Sequence, residues 1–186
     1  DSTMNGAQYV TIRNCVITID LAVTSTAIYL SGGSSSTGTQ VLENVIDSAN
    51  RAVYLYPTTT AYNSLVQGNV ISNAIQGIYL RTDNGSLVHD NQISFPAAAT
   101  AALYGIYLYS STGTQVSANT VSGGSTTSTC YALYNRSGTN SWFGNLVSNL
   151  HSNSTMEGFD IYSGTLDIHD NEFTALSSNQ DIVVVD

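Results

Sequence analysis

The sequence contains two pairs of carboxylates, either of which is a candidate for hydrolysing a glycosidic bond. In the first pair, Glu43 and Asp90 each directly precede an asparagine of a repeated motif. The second pair, Glu157 and Asp160, lies near the end of the chain, and neither pair has an arginine nearby in the repeat. Glycosidases use two carboxyl groups about 5–9.5 Å apart. The competing interpretation is that Glu43 and Asp90 are hydrated turn residues. We favour this interpretation and keep the four residues as the catalytic candidates of the alternative.

Tyrosines recur at one position of a second repeated block and form a candidate binding surface. These tyrosines and two flanking arginines are Tyr29, Tyr54, Tyr79, Tyr107, Tyr134, Arg51 and Arg81. If equivalent strands stack about 4.8 Å apart, the five rings form a row about 19 Å long. Tyrosine offers an aromatic surface and a hydroxyl group, and both suit sugars. The alternative is that the rings stack on one another and only stabilise the surface.

The residue types that usually bind metals are spread along the sequence. His89 and His169 each begin a His-Asp-Asn motif, but three repeats separate them, which is too far for one shared ion. Cys15 and Cys130 are four repeats apart, roughly 19 Å, whereas the two Cα atoms of a disulfide lie within about 7 Å. We therefore expect two free thiols, no metal site and no cofactor.

The charge of the chain excludes several classes of function. The sequence has 4 Lys+Arg and 13 Asp+Glu, which gives a formal net charge of −9, and all the cations are arginines. Nucleic-acid-binding proteins need a basic surface, and anionic membranes also attract basic segments. No apolar stretch reaches the roughly 18 residues of a membrane span. We therefore expect no nucleic-acid partner and no membrane insertion.

An internal repeat supplies the elements that must position these residues. Its most regular members are the asparagines Asn14, Asn44, Asn69, Asn91, Asn119, Asn145 and Asn171. Around most of them the chain follows the pattern Gly/Asn, Ser/Thr, x, Val, x, x, Asn, x, Ile/Val, and a block such as GIYL comes next. Alternating apolar residues, rich in β-branched and aromatic types, predict short strands. Such strands bury a core only when successive coils stack, so the sequence predicts about seven stacked coils.

The asparagines and the paired Val and Ile rows resemble the right-handed parallel β-helix repeats of the pectate-lyase-like superfamily, over about residues 9–185. The resemblance implies an all-β fold, a right-handed parallel β-helix of about seven coils. It also implies a ladder of asparagines in a tight turn that hydrogen-bond between coils: Asn44, Asn69, Asn91, Asn119, Asn145 and Asn171. The Asn-Thr-Asp, Asp-Asp, Gly-His-Gly and Arg-Ile-Lys motifs of pectin-cleaving relatives are missing.

We expect residues 1–186 to form a single β-helix segment of a longer bacterial protein that is secreted or displayed on the cell surface. The chain starts without a signal peptide and neither end shows a cap, so both ends are expected to continue or to dock on a partner. The expected role is structural or adhesive and non-catalytic, with a polysaccharide or cell-surface glycan bound on the tyrosines.

Three alternatives to this role stay open. The chain could be a fragment of a polysaccharide-degrading enzyme, either a lyase or a glycoside hydrolase, or a phage tailspike. The segment GIYLYSSTGTQVSANTV also resembles segments of surface proteins exported by bacterial type IX secretion. That likeness makes the chain a candidate cargo of such a system, with a secretion or anchoring protein as its partner.

Overall fold

Short alternating blocks of sequence form parallel strands along the chain. The computed structural model describes residues 8–21, 24–31, 37–57 and 61–184. Within these ranges the chain forms strands, turns and bends, and it contains no helix that could cross a membrane. Every strand pairs in parallel with its equivalent in a neighbouring coil. The all-β parallel β-helix predicted from the repeat is therefore confirmed.

Each coil contributes one strand to each of three long sheets. Sheet 1 contains Thr11–Arg13, Gln40–Leu42, Leu65–Gln67, Leu87–His89, Gln115–Ser117, Thr139–Phe143 and Thr165–His169. Sheet 2 contains Val16–Thr18, Val45–Asp47, Val70–Ser72, Gln92–Ser94, Thr120–Ser122, Leu146–Ser152 and Glu172–Ser178, with Ser125–Thr126 beside Leu146–Ser152. Sheet 3 contains Thr26–Ser31, Arg51–Tyr56, Gln76–Arg81, Leu103–Tyr109, Cys130–Asn135, Met156–Ile161 and Ile182–Val183. Ala61–Tyr62 and Asp83–Asn84 form a separate two-stranded sheet.

The seven strands of sheets 1 and 3 correspond to six full turns between the first strand and the last. This number agrees with the predicted count of about seven coils. The register is constant, so that Ile28, Val53 and Ile78 occupy the same position in three successive coils of sheet 3. Side chains of one kind therefore stack in columns that run along the helix axis.

The core is built from the inward-facing residue of each short strand. In sheet 1 this column is Val41, Val66, Val88, Val116 and Trp142, all 0% exposed. The ring centroid of Trp142 lies 4.9 Å from that of Phe159 inside the core. Burying an aliphatic or aromatic side chain contributes about 1.5–3 kcal/mol, so the columns supply the main stabilisation of the solenoid.

An asparagine ladder fills the turn between sheets 1 and 2. Asn44, Asn69, Asn91, Asn119 and Asn145 are at most 1% exposed. The Oδ1 atom of Asn69 accepts hydrogen bonds from the backbone N–H (3.0 Å) and the Nδ2 group (2.9 Å) of Asn44. Asn69 Nδ2 donates in turn to Asn91 Oδ1 (2.9 Å). The same pattern continues to Asn171, whose Oδ1 accepts from Asn145.

Asn14 belongs to the repeated asparagines of the sequence but lies outside the ladder, as expected. The backbone N–H of Cys15 donates to Asn44 Oδ1 (3.0 Å), so Cys15 occupies the ladder position of the first coil. Asn14 lies one residue earlier, at φ 54°, in the position that Glu43 and Asp90 occupy in later coils. Asparagine also tolerates this left-handed conformation, so the same residue type fits both positions.

A second buried polar column runs through the turn that precedes sheet 1. It consists of Thr39, Ser64, Ser86, Thr114 and Asn140, all at most 4% exposed. Its members bond across coils, as in the donation from Ser64 N–H to Ser86 Oγ (2.7 Å) and from Thr114 N–H to Asn140 Oδ1 (3.1 Å). The sequence analysis missed this column because Ser and Thr also fill the surface loops of this chain.

Candidate functional site

Five tyrosines form one continuous row on the outside of sheet 3. Tyr29, Tyr54, Tyr79, Tyr107 and Tyr134 pair in register across successive strands. Neighbouring ring centroids are 5.5, 4.8, 4.5 and 4.6 Å apart, and the planes differ by 18–28°. The row forms because each tyrosine alternates along its strand with residues that face the core, such as Val53 and Leu55 beside Tyr54, and these direct the tyrosine away from the core.

Further aromatic and cationic residues extend this row on both sides. Arg51 lies over the Tyr54 ring at 4.8 Å, and Tyr104 stacks on Tyr131 at 4.9 Å. We call the whole surface the tyrosine face, and it comprises Tyr29, Tyr54, Tyr56, Tyr79, Tyr104, Tyr107, Tyr109, Tyr131, Tyr134, Tyr162, Arg51, Arg81 and Arg136. The structure thus places Arg51 and Arg81 beside the row and adds Arg136.

Stacking within the row determines which part of each tyrosine a ligand meets. Because centroid spacings of 4.5–5.5 Å leave no room between rings, the faces inside the row are covered by neighbouring rings. Tyr29, at one end of the row, is 54% exposed. The arrangement therefore favours hydrogen bonding by the hydroxyl groups over packing of a ligand against a ring face.

Burial within the stack raises the pKa of the hydroxyl groups of Tyr79 and Tyr134. Desolvation raises the pKa of Tyr79, and the neighbouring Tyr107 and Tyr54 raise it further. Desolvation and the nearby Asp160 raise the pKa of Tyr134 to about 12. At neutral pH the hydroxyl groups of Tyr79 and Tyr134 can therefore both donate and accept a hydrogen bond.

The structure places Glu43 and Asp90 in exposed turns and not in a cleft. Both residues have positive φ, 52° and 55°. Glu43 lies 3.8 Å from Arg13, and Asp90 lies 3.1 Å from His89 Nε2. The contact with Arg13 corrects the expectation that no arginine lies near Glu43. That expectation failed because Arg13 belongs to the preceding coil, outside the local motif.

Glu157 and Asp160 continue the columns of the tyrosine face into the next coil. Glu157 pairs in register with Tyr131, and Asp160 pairs with Tyr134. Their negative charges raise the pKa of Tyr131, after the larger effect of desolvation. Of the two candidate carboxylate pairs, this is the one that a ligand lying along the tyrosine face would reach.

A buried carboxyl group escaped the sequence analysis. Asp83 is 1% exposed, and its Oδ1 accepts a hydrogen bond from Ser86 Oγ, whereas its Oδ2 is buried without a partner. The hydroxyl oxygens of Ser111 and Thr114, in the next coil, are also buried and unpaired. Desolvation raises the pKa of Asp83 more than its hydrogen bonds lower it.

The stability of the fold should therefore depend on pH through Asp83. Because its folded-state pKa is raised, its stabilising contribution is complete below the ordinary value of 3.8 and is lost as pH rises through the raised value. Asp83→Asn removes the ionisable group. The melting temperature of this variant relative to the wild type should rise as the pH increases from about 3 to about 8.

Asp167→Asn is the matched control for Asp83→Asn, because Asp167 is exposed and the chemical change is the same. Its melting temperature relative to the wild type should not follow the trend expected for Asp83→Asn. If the difference between Asp83→Asn and the wild type stayed constant across the pH range, Asp83 would not be a destabilising buried carboxylate at neutral pH.

The histidines contact groups close to them on the surface. His89 and His169 each contact the following aspartate, and His151 bonds to Ser177 and Asn153. Both cysteines are free thiols. Among the residues that the structure describes, no three His, Cys, Asp or Glu side chains come together as a metal site.

The comparison with known families decides the relationship of the chain. A family model described as "Periplasmic copper-binding protein (NosD)" matches residues 3–183. The chain belongs to the NosD family. No curated protein and no solved structure gives a significant match. NosD proteins are a pectate-lyase-like family of right-handed β-helices, so the resemblance predicted from the asparagine ladder is confirmed. The NosD family is periplasmic by its description, which agrees with a location outside the cytoplasm.

The described residues of this NosD-family chain do not fit a copper centre. Copper sites in proteins cluster thiolate, thioether and imidazole ligands. Cys130 and Met156 pair in register, but both are 0% exposed, and desolvation raises the pKa of the Cys130 thiol to about 12. Their neighbours in the same column are Leu103 and Ile182, which carry no metal-binding group.

Proposed function

We propose that the chain is a non-catalytic, structural and adhesive β-helix whose tyrosine face binds a linear glycan. The supporting observation is the regular row of stacked rings, because each coil presents an equivalent hydroxyl group. The coil repeat of about 4.8 Å is close to the length of one sugar unit. An extended glycan along the helix axis would therefore meet the same donor and acceptor once per sugar.

The chemistry of the tyrosine face suits sugars better than other polymers. Protonated tyrosine hydroxyl groups donate and accept hydrogen bonds, as sugar hydroxyl groups do. The rings below them form a rigid surface, so little side-chain entropy is lost on binding. In this proposal the glycan belongs to a cell surface or matrix, and the β-helix serves as a spacer that displays the binding face.

A second candidate function is cleavage of the bound glycan. It is favoured by the position of Glu157 and Asp160, which continue two columns of the tyrosine face. In this alternative the two carboxyl groups would act as the acid and base or nucleophile of a glycosidase. New reducing ends or unsaturated products that disappear in Glu157→Gln would replace the non-catalytic proposal with this one.

The proposal predicts that binding depends on the tyrosine hydroxyl groups. Glycan binding should be measured by calorimetry with the purified chain and a panel of neutral and acidic oligosaccharides. Tyr54→Phe with Tyr79→Phe keeps the ring stacking and removes two hydroxyl groups. Two lost hydrogen bonds of about 1 kcal/mol each correspond to a weakening of binding by at least about tenfold.

Two further variants complete the test. Tyr54→Ala with Tyr79→Ala should abolish binding while circular dichroism shows the β-structure retained. Tyr9→Ala is the control, because Tyr9 is 74% exposed and lies outside sheet 3; it should bind as the wild type does. If both double variants bind as tightly as the wild type, or if no glycan of the panel binds, the tyrosine face only stabilises the solenoid.

A further inference from the structure

One column of the tyrosine face alternates tyrosine and arginine. It contains Tyr56, Arg81, Tyr109, Arg136 and Tyr162 in successive coils. The backbone N–H of Arg136 donates to Leu108 O, and that of Tyr162 donates to Asn135 O, which extends the register of sheet 3 beyond its strands.

Each guanidinium group in this column lies between two tyrosine rings. Arg81 is 4.1 Å from the Tyr56 centroid and 5.3 Å from that of Tyr109. Arg136 is 4.8 Å from the Tyr109 centroid and 5.8 Å from that of Tyr162. A guanidinium group between two rings carries its N–H donors in its own plane, directed away from the ring faces.

These arginines concentrate positive charge on one face of an acidic protein. Arg51, Arg81 and Arg136 all lie on the tyrosine face, although the formal net charge of the chain is −9. Arg51 Nε donates a hydrogen bond to Gln76 Oε1 (3.3 Å), and Arg136 Nη1 donates one to the hydroxyl group of Tyr107 (3.3 Å), whereas Arg13, on sheet 1, pairs with the carboxylate of Glu43. Arg81 Nε is also buried without a hydrogen-bond partner.

The spacing of the charges defines the pattern of a matching ligand. Arg81 and Arg136 occupy the same column two coils apart, a distance of about 9.6 Å. Two coils correspond to two sugar units of a glycan that follows the axis, so the cations match an anionic group on every second sugar. A glycan with a charge on every sugar would place half of its anions beside tyrosine rings instead.

We infer, on the basis of the proposed function, that the tyrosine face binds an acidic polysaccharide whose charged and neutral sugars alternate. The carboxylate or sulfate group of each disaccharide pairs with Arg81 or Arg136, and the intervening sugar contacts the tyrosine hydroxyl groups. The binding stretch from Arg51 to Arg136 covers about 14 Å. It ends at the next coil, where Glu157 and Asp160 occupy the positions of Tyr131 and Tyr134 and their negative charges disfavour a polyanion.

The test compares short oligosaccharides of equal length on the intact chain. The probes are hyaluronan fragments, charged on alternate sugars, polygalacturonate fragments, charged on every sugar, and neutral cello-oligosaccharides. We expect hyaluronan fragments to bind at least about tenfold more tightly than the other two. Arg81→Gln with Arg136→Gln should remove this preference, and Arg13→Gln, which changes charge on another sheet, should leave it unchanged.

The outcomes separate this inference from the proposed function. Equal binding of all three probes, or a preference for hyaluronan that persists in Arg81→Gln with Arg136→Gln, overturns the inference and leaves glycan binding in place. Tighter binding of polygalacturonate than hyaluronan also overturns the alternating pattern. If none of the probes binds, the inference and the proposed function fail together.

Discussion

Replacing Asn69 by leucine is expected to lower the free energy of unfolding by about 3–6 kcal/mol. The side-chain amide of Asn69 accepts from Asn44 and donates to Val41 O (2.9 Å), Gln67 O (3.1 Å) and Asn91 Oδ1 (2.9 Å). Leucine has a similar volume but leaves these groups unpaired in a turn that excludes water. Each buried unpaired group costs about 1–3 kcal/mol. Urea unfolding followed by circular dichroism measures the difference.

Two other variants show whether hydrogen bonding causes the loss. Asn69→Asp keeps the shape and the Oδ1 acceptor but removes the Nδ2 donors, so it should also destabilise, and less so at acidic pH, where the carboxyl group is protonated. Asn179→Leu is the control, because Asn179 is exposed and its side-chain amide donates to Asn153 Oδ1 on the surface. A change of less than about 1 kcal/mol in Asn69→Leu would mean that the ladder amides exchange freely with water.

The repeat made the ladder and the core columns predictable. Residue types such as those of Val66 and Asn69 recur at fixed positions within each motif. Because the strands stack in parallel, residues at equal positions in successive motifs become neighbours. By the same logic the sequence alone predicts that Tyr54 lies beside Tyr79, as the register of sheet 3 shows. Local spacing is enough for these residues because their partners are their own equivalents in the next coil.

Other parts of the site depend on contacts that the motif does not contain. Arg136 and Tyr162 join the tyrosine face just after a strand ends, where loop lengths differ from coil to coil. The stacking geometry of the rings follows from side-chain packing and not from position in the motif. Asp83 lies in a polar stretch of sequence and is nevertheless buried, in a turn where it accepts a hydrogen bond from the buried Ser86.

Family membership and the site give different kinds of information about this chain. Membership in the NosD family accounts for the β-helix, which a repeated sequence can build with many surfaces. The tyrosine face lies on the columns of sheet 3, and the family description names no ligand for it. The proposed ligand follows from the chemistry of Arg81, Arg136 and the tyrosine rings.

Gly138→Ala is expected to destabilise the protein by about 3–5 kcal/mol. Gly138 has φ +113°, a conformation that side chains rarely adopt, and a Cβ atom there would lie 1.7 Å from Ser111 O. Backbone strain contributes about 1–3 kcal/mol, and displacement of the packed neighbour adds about 1–3 kcal/mol. Ser111 O cannot move freely, because it accepts a hydrogen bond from Asn140 Nδ2 (2.9 Å) in the second polar column.

Gly144→Ala separates this steric effect from the general cost of replacing glycine. Gly144 also has positive φ, +62°, but the nearest atom to an added Cβ is Ala118 N at 3.9 Å. Ala118 occupies the equivalent position one coil earlier at φ 53°, so this turn already accommodates alanine. The free energy of unfolding of Gly144→Ala should therefore lie within about 1 kcal/mol of that of the wild type. If Gly138→Ala is equally well tolerated, or if Gly144→Ala is equally damaging, the close approach of Gly138 to Ser111 does not limit this coil. If Gly138→Ala fails to fold while Gly144→Ala folds normally, the comparison of their soluble yields supports the same conclusion as the unfolding curves.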